Sequence, residues 1–204
     1  MKEILKELNV EKLNICEPDG TVKMTLFNSQ NIPSMILEGE DIMPGHRSND
    51  GVSGAMFYNN EGDECGGLIY GSDIDDDGEV TMGMSLTFDK WKQDQVLQLN
   101  LQKQGEKEQY GISIYDRPEY SIRQSVDLLK EIRSTKDQKE QTRLYHQLMK
   151  NNHKRVFIGH DTDGDTKIAL YDSKGKEKVK IFIDENDEPQ VIVNGKKLPV
   201  SRFF

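Results

Sequence analysis

Cysteine and long apolar stretches are both scarce in this chain. Its 204 residues include 2 cysteines, Cys16 and Cys65, and only 34% are apolar. Two cysteines without a CxxC spacing exclude a four-thiolate metal site, so we predict two reduced thiols, while a disulfide between them stays open. No stretch reaches the roughly 20 apolar residues that cross a bilayer, and the first residues lack the apolar core of a secretory signal. We therefore expect a cytoplasmic protein without a membrane partner.

Clustered positive charge is also missing. The chain carries 27 lysine and arginine residues against 36 aspartate and glutamate residues, which gives a net charge of -9. Phosphate backbones and anionic lipids attract proteins whose basic residues are concentrated, whereas here they are spread along the chain. The composition therefore argues against nucleic acid as a partner and is typical of an acidic, soluble protein.

What the sequence does contain is alternation of apolar and polar residues with a period of two. Residues 80–88 are the clearest case, because five apolar side chains alternate with polar ones and Asp89 then falls on the polar side. A period of two puts every second side chain on one face of a strand, as in antiparallel sheets with one buried face. The pattern recurs more briefly at residues 22–26, 97–101, 112–114, 168–170 and 179–183. We predict a mainly β fold.

Turn signals of one chemical type separate these segments. Glycine follows an acidic or amide residue in Asp19-Gly20, Glu61-Gly62, Asp77-Gly78, Asp163-Gly164 and Asn194-Gly195. Glycine adopts positive φ without a steric clash, and aspartate or asparagine tolerates the same region, so such pairs connect hairpin strands. Nearly regular spacing in the C-terminal part also suggests a weak repeat. We expect antiparallel hairpins in a meander, arranged as a sandwich, a barrel or a repeat-like sheet.

The segment 121–151 interrupts the β pattern. It contains no glycine or proline, and Ile122, Val126 and Leu129 have helical spacing. Because no apolar residue lies between Arg133 and Arg143, one long helix or two helices joined by a turn would both fit. We divide the chain into an N-terminal β region, 1–120, a helical connector, 121–152, and a C-terminal β region, 153–204, which could also form one integrated domain.

Several short motifs occur together in a fixed order. They are Glu17-Pro18-Asp19-Gly20-Thr21, Phe57-Tyr58-Asn59-Asn60-Glu61-Gly62, Gly66-Gly67-Leu68-Ile69-Tyr70-Gly71, Phe88-Asp89, Gln93-Asp94-Gln95 and Asp116-Arg117-Pro118. In these motifs the chain resembles a family of uncharacterised bacterial proteins of about this length. The resemblance covers most of the chain and implies one evolved unit. It implies no activity, catalytic residue, ligand or partner.

Residues 73–78, Asp-Ile-Asp-Asp-Asp-Gly, match the opening of a calcium-binding loop. The carboxylates of Asp73, Asp75 and Asp77 could converge on a hard cation around a bend that glycine permits. An EF-hand would need a glutamate at the twelfth position, which here is Met84, and the flanking residues predict strands. We therefore disfavour an EF-hand, keep a looser Ca²⁺ site as the alternative to a plain acidic turn, and expect no required cofactor.

The candidate catalytic residues lie in and beyond one polar loop. His46, Arg47 and Asp50 follow Pro44 and supply a base, a cation and a carboxylate, and Asp94 is a further acidic candidate. An exposed loop has the same composition by chance, and no spacing is diagnostic of a nucleophile.

Three further residues are candidates for ligand binding. Trp91 and Tyr70 could stack on a sugar ring, although strand aromatics usually pack across a sheet. Arg117 could bind a substrate acid, although Asp116-Arg117-Pro118 can also simply end a strand.

Three functional hypotheses follow. The leading one is a non-enzymatic β-rich interaction or structural protein that self-associates as a homo-oligomer or binds another protein, because open strand edges must be covered. The second is a binding module for a carbohydrate or small ligand, with Ca²⁺ held by the acidic turn. The third is an enzyme whose site residues meet only in the fold. The sequence favours the first and leaves the question of enzymatic activity open.

Overall fold

The computed structural model describes residues 5–199, which form a large antiparallel sheet, a small two-stranded sheet and two helices. The strands are β1 (Lys12–Cys16), β2 (Val22–Phe27), β3 (Ile36–Leu37), β4 (Glu40–Asp41), β5 (Ser53–Tyr58), β6 (Glu64–Ile74), β7 (Val80–Asp89), β8 (Gln95–Gln104), β9 (Lys107–Tyr115), β10 (Lys154–His160), β11 (Thr166–Tyr171), β12 (Glu177–Ile183), β13 (Pro189–Val193) and β14 (Lys196–Leu198). The helices are α1 (Ile122–Ser134) and α2 (Gln138–Met149). The predicted mainly β fold with a helical segment is confirmed.

The large sheet is an open meander. Its strand order is β1-β2-β5-β6-β7-β8-β9-β10-β11-β12-β13-β14, and every neighbouring pair is antiparallel. The β3–β4 hairpin and the two helices occupy its two longest connections, residues 28–52 and 116–153. Because β9 and β10 pair with each other, the strands on both sides of the helices belong to one sheet.

Five hairpin turns are built on the same hydrogen-bond pattern. The side chain of the first turn residue accepts from the backbone N–H groups two and four positions later, at Asn59, Asp75, Asp161, Asp172 and Asp184. The fourth residue has positive φ and is glycine in four of these turns and Asp187 in the fifth. The residue that organises each turn is therefore the one three positions before the residue with positive φ. Asn194-Gly195 makes the expected two-residue turn, with positive φ at both positions.

The helical segment forms two helices. Ser121 caps α1 by accepting from the N–H of Arg123, and Asp137 caps α2 by accepting from the N–H of Lys139. Leu128, Leu144 and Leu148 are buried between the helices, whereas the polar interval contains the break. No helix within residues 5–199 is both long and apolar enough to cross a membrane.

The register of the sheet places its apolar side chains in continuous rows on one face. Directly opposed residues share a face. The central row takes one residue from each of the twelve strands: Leu13, Leu26, Ala55, Leu68, Leu86, Leu99, Ile112, Ile158, Ile168, Ile181, Val191 and Leu198. We call this side the apolar face and the opposite side the polar face.

Burial of the two faces differs from what the alternation suggests. Leu99 on the apolar face is 53% exposed, whereas Ser113 on the polar face is 1% exposed. The polar face carries small residues, and Gly111 lies opposite Gly159 so closely that a Cβ on Gly159 would stand 2.6 Å from the Cα of Gly111. Small side chains let a twisted sheet coil towards the face that bears them. The polar face is therefore the more enclosed one.

Candidate functional site

A cavity of about 320 Å³ lies where the two long connections meet the ends of the central strands. Its apolar wall comes from the β3–β4 segment and the helices: Met35, Ile36, Leu37, Ile42, Met43, Ile122, Val126, Leu129 and Leu148. Its polar wall consists of His46, Arg47, Glu64, Asp89, Lys92, Gln93, Asp94, Gln95, Ser125 and Asn152. A cavity of this size with one apolar and one polar wall suits a small amphipathic molecule.

Two sets of hydrogen bonds hold the covering segments in place. The Lys92 carbonyl accepts from the N–H of Ile122 at 2.8 Å, and the Gln93 side chain donates to the Tyr120 carbonyl at 2.8 Å, which fixes the start of α1. On the other side, the N–H of Glu38 in the β3–β4 turn donates to the buried Asp63 carboxylate at 2.6 Å. Both segments that form the apolar wall, α1 and β3–β4, are thus tied to turns of the large sheet.

Arg47 and Glu64 form the first ion pair of the cavity. Two guanidinium nitrogens donate to the two carboxylate oxygens at 2.8 Å each, and a further bond runs from Arg47 to the Pro33 carbonyl at 3.1 Å. Both side chains are largely buried, with 18% and 14% exposed. The paired carboxylate raises the pKa of Arg47 against the opposing effect of burial. This bidentate pair fixes the polar loop to β6.

Arg117 organises the second charged group. Its Nε donates to the Gln95 carbonyl at 2.6 Å, Nη1 lies 3.2 Å from the Asp94 carboxylate, and Nη1 also donates to the Asn152 side chain. The guanidinium stacks on Tyr115, 4.9 Å from the ring centre. Arg117 therefore joins the start of β8 to the segment that follows α2.

Asp89 lies at the end of β7, between these two groups. Its Oδ1 is buried and has no hydrogen-bond partner among the described residues. Burial, together with the negative charges of Glu64 and Asp94, raises the pKa of Asp89 to about 7, although Arg117 and Arg47 act in the opposite direction. Near neutral pH this carboxyl can therefore exchange a proton, or accept a hydrogen bond from a bound molecule.

Cys65 follows Glu64 in β6. Burial, with the nearby carboxylates of Asp89 and Glu64, raises the pKa of its thiol. A raised pKa keeps sulfur protonated, which is unsuited to a nucleophile. Cys16 and Cys65 are both free cysteines in the structure.

The structure brings together three of the four candidate catalytic residues. His46, Arg47 and Asp94 line the cavity, but Asp50 lines a separate cavity of about 780 Å³ against β6, β7, β8 and β9. The Nδ1 of His46 lies 3.0 Å from the Met43 carbonyl. Because Arg47 and Asp94 are held in ion pairs, they are arranged to position other groups rather than to transfer protons.

The ligand-binding candidates are dispersed. Arg117 contacts residues of the cavity wall. Tyr70, however, lies on the apolar face and is 51% exposed, and Trp91 is 62% exposed in the turn after β7. Neither aromatic ring faces the cavity, so the structure does not assemble a stacking platform there from these residues.

The acidic turn shows no grouped metal ligands. Asp75 accepts from the N–H groups of Asp77 and Glu79, and Asp73 accepts from the N–H of Ile74. Within residues 5–199, no group of three or more histidine, cysteine, aspartate or glutamate side chains is placed to hold a metal ion. Backbone donors thus already bind one carboxylate oxygen, Oδ1, of Asp73 and of Asp75, two of the three side chains in the calcium hypothesis.

Glu64, Asp89, Gln95 and Asn152 are site residues that the candidate set lacked. Asp89 had a local signal, since the alternation of β7 places it on the polar side at the strand end. Glu64 had none, because its partner Arg47 lies 17 residues away in a loop. No family model matches the chain, and comparison with curated proteins gave no match either. Function is therefore inferred from the chemistry of the cavity.

Proposed function

We propose that this protein binds a small amphipathic molecule with a cationic, amine-type head. The observation that carries the proposal is the buried Asp89 oxygen without a partner, at a cavity with one apolar wall. An ammonium group donates hydrogen bonds and pairs with an ionised carboxylate, so it would compensate the charge that burial penalises. The head would meet Asp89, and the apolar part would lie against α1 and the β3–β4 segment.

The charge distribution supports a cation rather than an anion. The Arg47 guanidinium is paired with Glu64, and that of Arg117 with Asp94. Lys92 contacts both Glu38 and Glu61 at 2.8 Å. An anionic ligand would have to displace one of these carboxylates, whereas Asp89 Oδ1 has no hydrogen-bond partner among the described residues that a cation would need to displace.

Calorimetry with three six-carbon probes tests the proposal: n-hexylamine, n-hexanol and hexanoate. At about pH 8, where Asp89 is ionised, we expect hexylamine to bind at least about tenfold more tightly than hexanol, because only the amine forms a charge-assisted bond. Hexanoate should bind most weakly. Below pH 7 the affinity for hexylamine should fall by about tenfold per pH unit as Asp89 becomes protonated.

Two variants make the test specific. Asp89→Asn should reduce hexylamine binding to the level of hexanol, whereas Asp76→Asn, in the exposed β6–β7 turn, should leave it unchanged. Equal binding of the three probes, or full retention of hexylamine binding in Asp89→Asn, would contradict the proposal. Melting temperatures of both variants show whether each remains folded.

A further inference from the structure

We infer that the apolar face is the interface through which two copies of this chain associate. The central row is flanked by a second one: Ile15, Met24, Phe57, Gly66, Phe88, Leu97, Ile114, Val156, Leu170, Val179, Val193 and Lys196. Tyr70, Met84, Leu101 and Tyr110 continue the face on the other side of the central row. The apolar face therefore crosses the full width of the sheet without interruption by a charged row.

This face is exposed to a degree that is unusual for an isolated chain. Fifteen large apolar side chains stand out from this face, and their exposure ranges from 38% at Leu97 to 53% at Leu99. With roughly 150–200 Å² for each side chain, they leave on the order of 1,000–1,300 Å² of apolar surface uncovered. The largest apolar patch of a typical monomer is about 300–600 Å². The uncovered area also exceeds the roughly 800 Å² per partner that a standard interface buries.

A second copy suits this face better than a lipid surface or an unrelated protein. Two copies related by a two-fold axis place the leucine and isoleucine rows of one sheet against the same rows of the other. Their side chains can then interdigitate, as they do between the two packed sheets of a β-sandwich, which lie about 10 Å apart. The next row beyond Met84 and Leu101 includes Lys103 opposite Glu108, at 3.8 Å, so opposite charges balance at that border. The net charge of -9 opposes binding to anionic lipid.

Light scattering coupled to size-exclusion chromatography, at a series of protein concentrations in the micromolar range, measures the association directly. We expect the wild-type chain to have twice the mass of the monomer. Leu99→Lys combined with Ile158→Lys places two charges in the central row and should weaken association by about 30-fold or more, because buried unpaired charge is strongly unfavourable at an interface. Both side chains are accessible in the single chain, so the variant should fold.

Tyr145→Lys is the matched control, since Tyr145 is 55% exposed but lies on α2. It should remain dimeric. A wild-type monomer at all concentrations would overturn the inference, as would an assembly that the Leu99→Lys, Ile158→Lys variant leaves intact. Flotation with neutral phosphatidylcholine vesicles tests the competing occupant: a monomer that binds vesicles through this face would replace the second copy by lipid. Circular dichroism of each variant confirms that the sheet is retained.

Discussion

Replacing Asp89 by asparagine should make the protein more resistant to unfolding at neutral and alkaline pH. In the unfolded chain Asp89 has the ordinary pKa of 3.8, and in the native state its pKa is about 7. Between these values the native state retains a proton that the unfolded state has lost, so stability falls as pH rises and levels off above about pH 7. At 1.36 kcal/mol per pH unit, the loss is on the order of 4 kcal/mol. Asparagine keeps the shape but has no charge to bury.

Urea unfolding from about pH 4 to pH 8 measures this effect, with the wild type and Asp89→Asn compared at every pH. Other titrating groups are common to both proteins, so the difference in unfolding free energy isolates Asp89. That difference should increase by about 4 kcal/mol in favour of the variant between the two ends of the range. A difference that stays constant across the range would refute the assignment of the raised pKa and the view that burial penalises this charge.

Three further changes test the packing and the turns. Arg47→Ala should lower the free energy of unfolding in urea by about 3 kcal/mol, because Glu64 is left buried and unpaired. Arg123→Ala, at an exposed pair with Glu40, should lower it by under about 1 kcal/mol. Equal losses in the two variants would contradict this. Gly159→Ala should lower the free energy of unfolding by about 3 kcal/mol or more, since the new Cβ would stand 2.1 Å from the Tyr110 carbonyl oxygen. A Cβ at Gly83 would have no atom within 4 Å, so Gly83→Ala should have nearly the melting temperature of the wild type. Asp75→Ala should lower the free energy of unfolding by about 1 kcal/mol, with or without millimolar calcium. If calcium raised the melting temperature of the wild type but not of this variant, the result would support a calcium site at this turn.

The strands were predictable because their signal is local. Alternation at residues 80–88 and the helical spacing of Ile122, Val126 and Leu129 each depend on neighbouring residues. The break between the helices was foreseeable only as one of two alternatives, since a polar interval fits a solvated helix as well as a turn. What alternation could not reveal is which face becomes enclosed. That depends on small residues such as Gly111 and Gly159, which meet only when β9 and β10 pair.

The candidate site could be predicted only in part for the same reason. Arg47 and Asp94 were among the candidate catalytic residues of the sequence, and both lie at the cavity. Their pairing was not predictable, because Glu64 lies 17 residues from Arg47. Arg117 was itself a candidate, but its contacts with Asp94 and with Asn152, 35 residues away, form only in the folded chain. Asp89 becomes distinctive through the absence of a partner in the folded chain, which no sequence pattern encodes.

The order of the meander has a consequence for how the chain folds. All twelve strands pair with the nearest strand of the sheet along the sequence, and most of these pairs are joined by short turns. Closing a short loop costs less conformational entropy than closing a long one, so the slow steps fall on residues 28–52 and 116–153, the two connections that cover the cavity. We expect the hairpins of β6, β7, β8 and β9 to form early and the cavity to be completed last. Pulsed hydrogen exchange would then show late protection at α1 and α2, and protection of the helices before these strands would contradict that order.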